Sequence, residues 1–244
     1  MKKIPIIKDN QKIQCLLALG NKARRGKDTV AQYLQDNYGF AVLHWADALY
    51  EECRNANIVY TLFQDEDRIN HTAVCTINGE KIEDHPLKGK IFRWISKKGI
   101  LLEYTKNRKT WSYRGMKDKD AELLQWYGTE YRRGVHGSNY WVNIVLKRID
   151  YLVSLKTGGL TRFVIADTRF PNEAQAIKDE GGEAWHIYRE NPIEDTGRDP
   201  SHISETSLDS WKWDREICNI GSIRDLHLLI DDAMGEIGIF KEPH

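Results

Sequence analysis

Gly26 and Lys27 lie where a short apolar run, Ile13 to Leu19, gives way to residues at helical spacing. A bound phosphate needs backbone N–H groups turned inward, a cation that reaches its outer oxygens, and a helix N-terminus behind it. The loop Gly20-Asn21-Lys22-Ala23-Arg24-Arg25-Gly26-Lys27-Asp28-Thr29 carries those parts in that order. Lys27 reads as the cation for the β- and γ-phosphates of ATP, and the amides of Arg25 to Asp28 read as the cradle. Asn21, Ala23, Arg24 and Thr29 complete the candidate ATP-binding set.

Two positions depart from the common spacing. The first glycine is expected at 21, where Asn21 stands, and Gly20 lies one residue early. Asparagine tolerates positive φ better than other residues with a side chain, so the turn is retained. Asp28 follows the lysine where Ser or Thr is usual. A carboxylate there can hold Mg²⁺ directly or through water, with the Thr29 hydroxyl as the alternative. Asp167 ends the apolar run Arg162-Phe-Val-Ile-Ala-Asp167. Alone it is an ordinary loop acid; with the cradle it becomes the second carboxylate of a Mg²⁺ site at the strand ends.

These residues need a strand, a loop and a helix to hold them. Ile13 to Leu19 predicts a buried strand, and Val30, Ala31, Tyr33 and Leu34 predict a helix that Gly39 ends. Phe40 to His44 predicts a second strand, which completes a βαβ unit. Further on, helices are expected at 46–55, 118–133, 140–155 and 173–180, and strands at 162–167, 184–188 and 217–220. Ser222 is expected to cap a last helix. Strands alternating with helices predict an α/β protein with a mainly parallel sheet covered on both sides. Asn78-Gly79 marks a hairpin turn, whereas 84–117 shows no clear period. The expected organisation is one domain over 1–244, with a basic insertion at about 60–117 and a polar lid loop at about 191–208.

The whole chain excludes several classes. At 244 residues it buries roughly three quarters of its unfolded surface and needs no staple. Cys15, Cys53, Cys75 and Cys218 are far apart, which argues against a zinc site or a disulfide framework and fits a reducing compartment. With no apolar run of membrane-spanning length and no signal-peptide pattern, the expectation is a cytosolic protein. Net charge is zero, yet Lys88 to Lys117 holds ten Lys or Arg against one acid, Glu103. From Asp167 onward acids outnumber bases 18 to 8, so the middle is basic and the last third acidic.

Four segments occur in order: Lys22-Ala-Arg-Arg-Gly-Lys-Asp-Thr29, Leu124-Gln-Trp-Tyr-Gly-Thr-Glu-Tyr-Arg132, Asp167-Thr-Arg-Phe-Pro-Asn-Glu173 and Ser201-His-Ile-Ser-Glu205. Together they resemble the bacteriophage deoxynucleoside monophosphate kinases, a family of P-loop kinases. The resemblance covers about 12–50 and 120–210. The loop and the Asp-Thr-Arg turn are also similar to animal-type phosphomevalonate kinases, the nearest enzymatic rival. The Leu-Gln-x-x-Gly-Thr-Glu helix and the Phe-Pro-Asn-Glu continuation favour the nucleotide enzymes.

The resemblance implies a P-loop kinase fold and transfer of the ATP γ-phosphoryl group to a deoxynucleoside monophosphate, with Mg²⁺ as cofactor. Lys27, Arg169 and Arg132 are then the catalytic candidates, with Asp28 and Asp167 at the metal. Arg132, Arg133 and Arg169 would neutralise the acceptor phosphate and the transferring group. Asp47, in Trp45-Ala-Asp-Ala-Leu49, falls in a segment resembling a nucleoside site, and is otherwise a helix N-terminal acid. Gln125, Thr129 and Glu130 complete the substrate-binding set, and Arg198, His202 and Glu205 belong to the expected lid.

The insert offers other readings. Lys97, Lys98, Arg108 and Lys109 interleaved with Trp94, Trp111 and Tyr113 suit a single-stranded nucleic acid. The same charges also suit a solvated flap or the steering of anionic nucleotides, and the acidic remainder of the chain opposes a long polyanion. A nucleotide sensor without catalysis is the reading in which Asn21 and Asp28 disable the loop. ATP and a deoxynucleoside monophosphate are therefore the expected partners, with neither nucleic acid nor membrane, and a homodimer as the default assembly.

Overall fold

The apolar run ending at Gly20 is the central strand of a parallel sheet. The computed structural model describes residues 6–8, 11–20, 22, 24–65, 68–77, 80–82, 101–105, 108–114, 116, 118–119, 121–155, 161–189, 201 and 203–241. They form two units, one of Met1–Asp47 with Ser138–His244 and one of Ala48–Gly137.

In the first unit, β1 (Ile6–Lys8) and β2 (Gln11–Ile13) make an antiparallel ribbon that leads into β3 (Cys15–Gly20). Helix α1 (Lys27–Tyr38) follows, then β4 (Ala41–Leu43) and the start of α2 (Asp47–Arg54). Gly39, at φ 66°, ends α1 and donates its N–H to Leu34 O, the role its sequence position predicts.

The second unit holds β5 (Ala56–Asp65), β6 (Arg68–Ile77), β7 (Glu80–Ile82), β8 (Leu101–Thr105) and β9 (Arg108–Arg114). They form an antiparallel sheet in the order β7-β6-β5-β9-β8. Ile77 pairs with Glu80 across the predicted Asn78-Gly79 turn, which itself lies outside the described residues. Strands β8 and β9 fall in the stretch where the sequence shows no period. Cross-strand backbone pairing forms a strand whatever charges it carries, and basic residues hide the alternation of a sheet that needs no apolar face in sequence.

After α3 (Ala121–Gln125) the chain winds as a π-helix over Trp126–Arg133 and closes with α4 (Gly134–His136). The expected feature was one continuous α-helix over 118–133. The wider turn aligns residues five apart, so the Tyr127 hydroxyl and the Arg132 Nε meet at 2.8 Å. Gly128 fits there because a Cβ would come within 2.8 Å of the Leu49 side chain.

The chain returns to the first unit with α5 (Tyr140–Ser154), β10 (Arg162–Thr168), α6 (Pro171–Asp179) and β11 (Glu183–Tyr188). It ends with α7 (Ile203–Thr206), β12 (Arg215–Cys218) and α8 (Ile223–Glu236). Ser222 caps α8 in a capping box with Asp225, as its position predicts. Of the expected lid, 191–200 and 202 lie outside the described residues, while 203–206 is helical.

The five-stranded sheet runs β12-β11-β3-β10-β4, with every pairing parallel. Both faces are covered, so β3 is apolar from Cys15 to Leu19 and β10 from Phe163 to Ala166. Leu17, Leu19, Val164 and Ala166 pack with Val30, Leu34, Leu226 and Ile230 of α1 and α8. The alternate residues Leu16, Ala18, Phe163 and Ile165 pack with Val145, Ile149, Ala174 and Ile177 of α5 and α6. Chain order reverses around β3, which has β10 on one side and β11 on the other. Ligands of open parallel sheets bind beyond the strand ends at such a switch point. The predicted α/β class with a mainly parallel sheet is the one observed. No helix among the described residues is long and apolar enough to cross a membrane.

Candidate active site

The loop that leaves β3 turns through two left-handed residues, Arg24 at φ 55° and Gly26 at φ 103°. Arginine rarely adopts this conformation, and strained backbone of this kind clusters where a loop must present its amides. Asn21 and Ala23 lie outside the described residues. Arg24 is exposed, Lys22 pairs with Asp209 at 3.1 Å, and Asp28 and Thr29 are exposed in the first turn of α1.

Three hydrogen bonds tie the loop to the ends of β11 and β12. Arg25 Nη1 donates to Arg189 O at 2.9 Å, and Arg189 Nε donates to Asn219 O at 2.9 Å. Asn219 Nδ2 closes the ring on Arg25 O at 3.0 Å. The Arg25 side chain is thus turned toward backbone oxygen, and its place in the ATP-binding set rests on its amide. Asn219 is almost fully buried and had no motif around it in the sequence.

Lys27 begins α1 with its side chain buried and its Nζ donating to Lys22 O at 2.5 Å. Burial pushes its ammonium down to about 8, and the Arg169 cation acts in the same direction, while Asp28, Asp167 and Glu205 oppose them. One lysine, one arginine and three carboxylates therefore share one field at the end of the parallel sheet.

Asp167 is held by backbone. Its Oδ1 accepts from Trp45 N at 2.7 Å and its Oδ2 from Ala46 N at 3.1 Å. Burial raises its pKa, and His44 with the two amides pulls the other way. Thr168 is buried beside it and accepts from the indole Nε1 of Trp45 at 3.0 Å. The Asp-Thr pair thereby fastens the turn that follows β4. Asp47, at the end of that turn, accepts from His44 N at 3.2 Å and stands 3.6 Å from His44 Nδ1, which is the helix N-terminal arrangement.

Arg169 is fixed at three points. Its N–H donates to Glu173 Oε2 at 2.8 Å, its carbonyl accepts from Ser207 Oγ at 2.6 Å, and its Nη1 pairs with Glu205. Glu173 is buried and also accepts from Phe170 N, so it starts α6 while holding the arginine's backbone. Arg198 and His202, the other expected lid residues, lie outside the described residues.

In the second unit Arg132 donates to Glu52 Oε2 at 2.8 Å, as does the Tyr127 hydroxyl at 2.6 Å. Its Nη1 stands 3.0 Å from His136 Nε2, and its guanidinium lies over the Tyr127 and Tyr131 rings. Burial, reinforced by Glu52, raises the Tyr127 hydroxyl pKa. Gln125, Thr129, Glu130 and Arg133 are half-buried along the same helical stretch. Glu52, like Asn219, was invisible in the sequence, because its partner is 75 residues away.

The structure thus brings Lys27, Asp167, Arg169 and Glu205 together in one unit and places Gln125 to Arg133 in the other. The model of the deoxynucleotide monophosphate kinase family matches residues 54–230, well over half of the chain. The matched interval begins after the loop that leaves β3. A search of curated proteins returned no relative that matches the chain. The chain belongs to the deoxynucleotide monophosphate kinase family and is a nucleotide monophosphate kinase.

Proposed function

We propose that this enzyme transfers the γ-phosphoryl group of ATP to a deoxynucleoside 5′-monophosphate, giving the deoxynucleoside diphosphate and ADP. The observation that carries the reading is Lys27, buried behind a strained loop at the switch point of the sheet, with Arg169 and three carboxylates in its field. In the step, an oxygen of the acceptor phosphate forms a bond to the γ-phosphorus while the bond to the β,γ-bridging oxygen breaks, and ADP leaves. Little covalent chemistry is asked of the protein, because positioning and charge neutralisation dominate. Lys27 and the amides of Arg25 to Asp28 bind the donor phosphates, and Arg169 neutralises the transferring group.

Asp28 and Asp167 fit a Mg²⁺ ion that arrives on the nucleotide. Mg²⁺ is commonly held by one or two carboxylates plus substrate phosphates and water. When bound, the ion would offset the charge of the donor phosphates. Gln125, Thr129, Glu130 and Arg133 are assigned to the acceptor, and Arg132, engaged by Glu52, braces the stretch that carries them; Asp47 is assigned to the acceptor from its own place at the start of α2.

ADP release is the test, measured with Mg²⁺ and ATP across the four common deoxynucleoside monophosphates and phosphomevalonate. Turnover with at least one of the nucleotides is expected. Turnover with phosphomevalonate alone would overturn the reading, as would full activity of a folded Lys27→Ala protein.

A further inference from the structure

The Arg169–Glu205 pair carries an inference about how the reaction is organised. Both partners are withdrawn from water, with side chains 22% and 9% exposed. Glu205 engages Nη1, and among the described residues no other side chain holds the guanidinium. The backbone of Arg169 is pinned at the same time by Glu173 on one side and Ser207 on the other. Ser207 and Glu205 belong to the same turn, so one short stretch grips both the carbonyl and the side chain of one residue.

Electrostatics explain why such a grip is needed. Lys27 and Arg169 are like charges at the same end of two paired parallel strands, one opening α1 after β3 and the other following β10, and Lys27 is buried. Without a nucleotide, a long arginine side chain beside a buried ammonium gains by swinging out to water. A carboxylate on the far nitrogen removes that gain and keeps the guanidinium in place. One engaged nitrogen leaves the remaining N–H donors for a phosphoryl oxygen, because arginine presents five donors in a rigid fork.

We infer that Glu205 is a positioning residue for phosphoryl transfer, holding Arg169 beside Lys27 so that its unengaged N–H groups meet the transferring phosphoryl group. Glu205 itself touches neither nucleotide. The inference rests on the proposed kinase reaction, and it gives the Ser201–Glu205 motif a role that does not depend on closing over the substrate.

The experiment is a double-mutant cycle on the whole chain, reading kcat and the KM for ATP separately. Glu205→Gln keeps the shape and removes the charge; kcat should fall about tenfold to a hundredfold with KM for ATP changed by less than about threefold. In an Arg169→Ala background, itself slowed by roughly a thousandfold, Glu205→Gln should cost nothing further. Glu205→Asp keeps the charge one methylene shorter and should lose only several-fold in kcat; it carries the cycle if Glu205→Gln does not fold. An equal loss from the glutamate substitution in both backgrounds would overturn the inference, as would an unchanged kcat. A wild type that phosphorylates none of the nucleotides overturns the kinase reading and the inference with it.

Discussion

The indole of Trp213 lies against the Cα of Gly20, the last residue of the central strand. A Cβ at position 20 would stand 2.2 Å from Trp213 Cη2 and 2.5 Å from Cζ3. Close approach, and no special backbone angle, is what requires this glycine. The indole in turn stacks on His186, ring centroids 5.1 Å apart at 14°, and His186 pairs with Gly20 in the sheet. Tyr188 continues the stack at 5.0 Å. A three-ring ladder thus lies where the Gly20–Thr29 loop leaves β3.

That packing predicts a compensating pair. Gly20→Ala should destabilise the protein by about 1–3 kcal/mol, the usual cost of overpacking a rigid site. Trp213→Leu removes the atoms in the way, so the double variant should be more stable than the two single losses sum to. Urea unfolding reads this as a shift of midpoint at constant slope. Strict additivity would show that the ring yields freely and that the contact is unimportant.

Lys27 predicts a pH signature of binding. With its ammonium pushed down to about 8 by burial, the free protein carries the charge below that pH and loses it above. A polyphosphate favours the charged form and raises that pKa. Binding of ATP near pH 9 should therefore take up close to one proton, and binding near pH 6.5 almost none. Affinity should weaken by up to about tenfold per unit above pH 8. Calorimetry in two buffers of different ionisation enthalpy measures the uptake. A Lys27→Met protein should show none at either pH. Equal uptake in that variant would assign the proton to another group.

The sequence was legible where the signal is local. An apolar run before a Gly-Lys pair, a helical period after it and a capping serine each declare themselves within a few residues, and β3, α1 and α8 were read correctly from them. Strands β5, β8 and β9 escape the sequence because their polar and basic residues mask the alternation, and because β5 meets β9 only across a long stretch of chain, as Phe63 meets Arg108. The π-turn was missed because it depends on a five-residue spacing between Tyr127 and Arg132 that a helical pattern does not distinguish. Asn219, Trp213 and Glu52 have no motif of their own and act at long range on Arg25, Gly20 and Arg132. Asp167 and Arg169 stand out in the sequence by their place at a strand end; their contacts with Trp45, Ala46 and Glu173 do not, since a backbone amide leaves no trace in composition.

Asp167→Asn should separate structure from charge. The carboxylate gives one oxygen to each of two backbone N–H groups, whereas an amide has one oxygen and turns an N–H₂ toward the other donor. One buried N–H is then left facing a donor, at a cost of about 1–3 kcal/mol. The substitution also removes a charge whose burial is unfavourable, which limits the loss. A lower unfolding midpoint together with lost kinase activity is expected. Unchanged stability with lost activity would assign Asp167 to the metal alone, and full activity would remove it from the site.

Asn219 and Gly26 predict an asymmetric pair. Asn219 Nδ2 holds Arg25 O and also stands 2.4 Å from where a Cβ on Gly26 would lie. Asn219→Ala should cost about 1–2 kcal/mol, because it frees the Arg25 carbonyl and opens the ring that binds the loop to β11 and β12. Gly26→Ala should cost more, since it meets both the amide and a φ of 103° that an alanine resists. Removing the Asn219 side chain relieves the first obstacle and leaves the second. In an Asn219→Ala background, Gly26→Ala should therefore lose less than it does alone and still not become neutral. A calorimetric cycle of the four proteins measures both parts, with ATP affinity as the functional readout. Full recovery in the double variant would show that side-chain contact alone dictates the glycine. No recovery at all would leave the left-handed backbone as its entire cause.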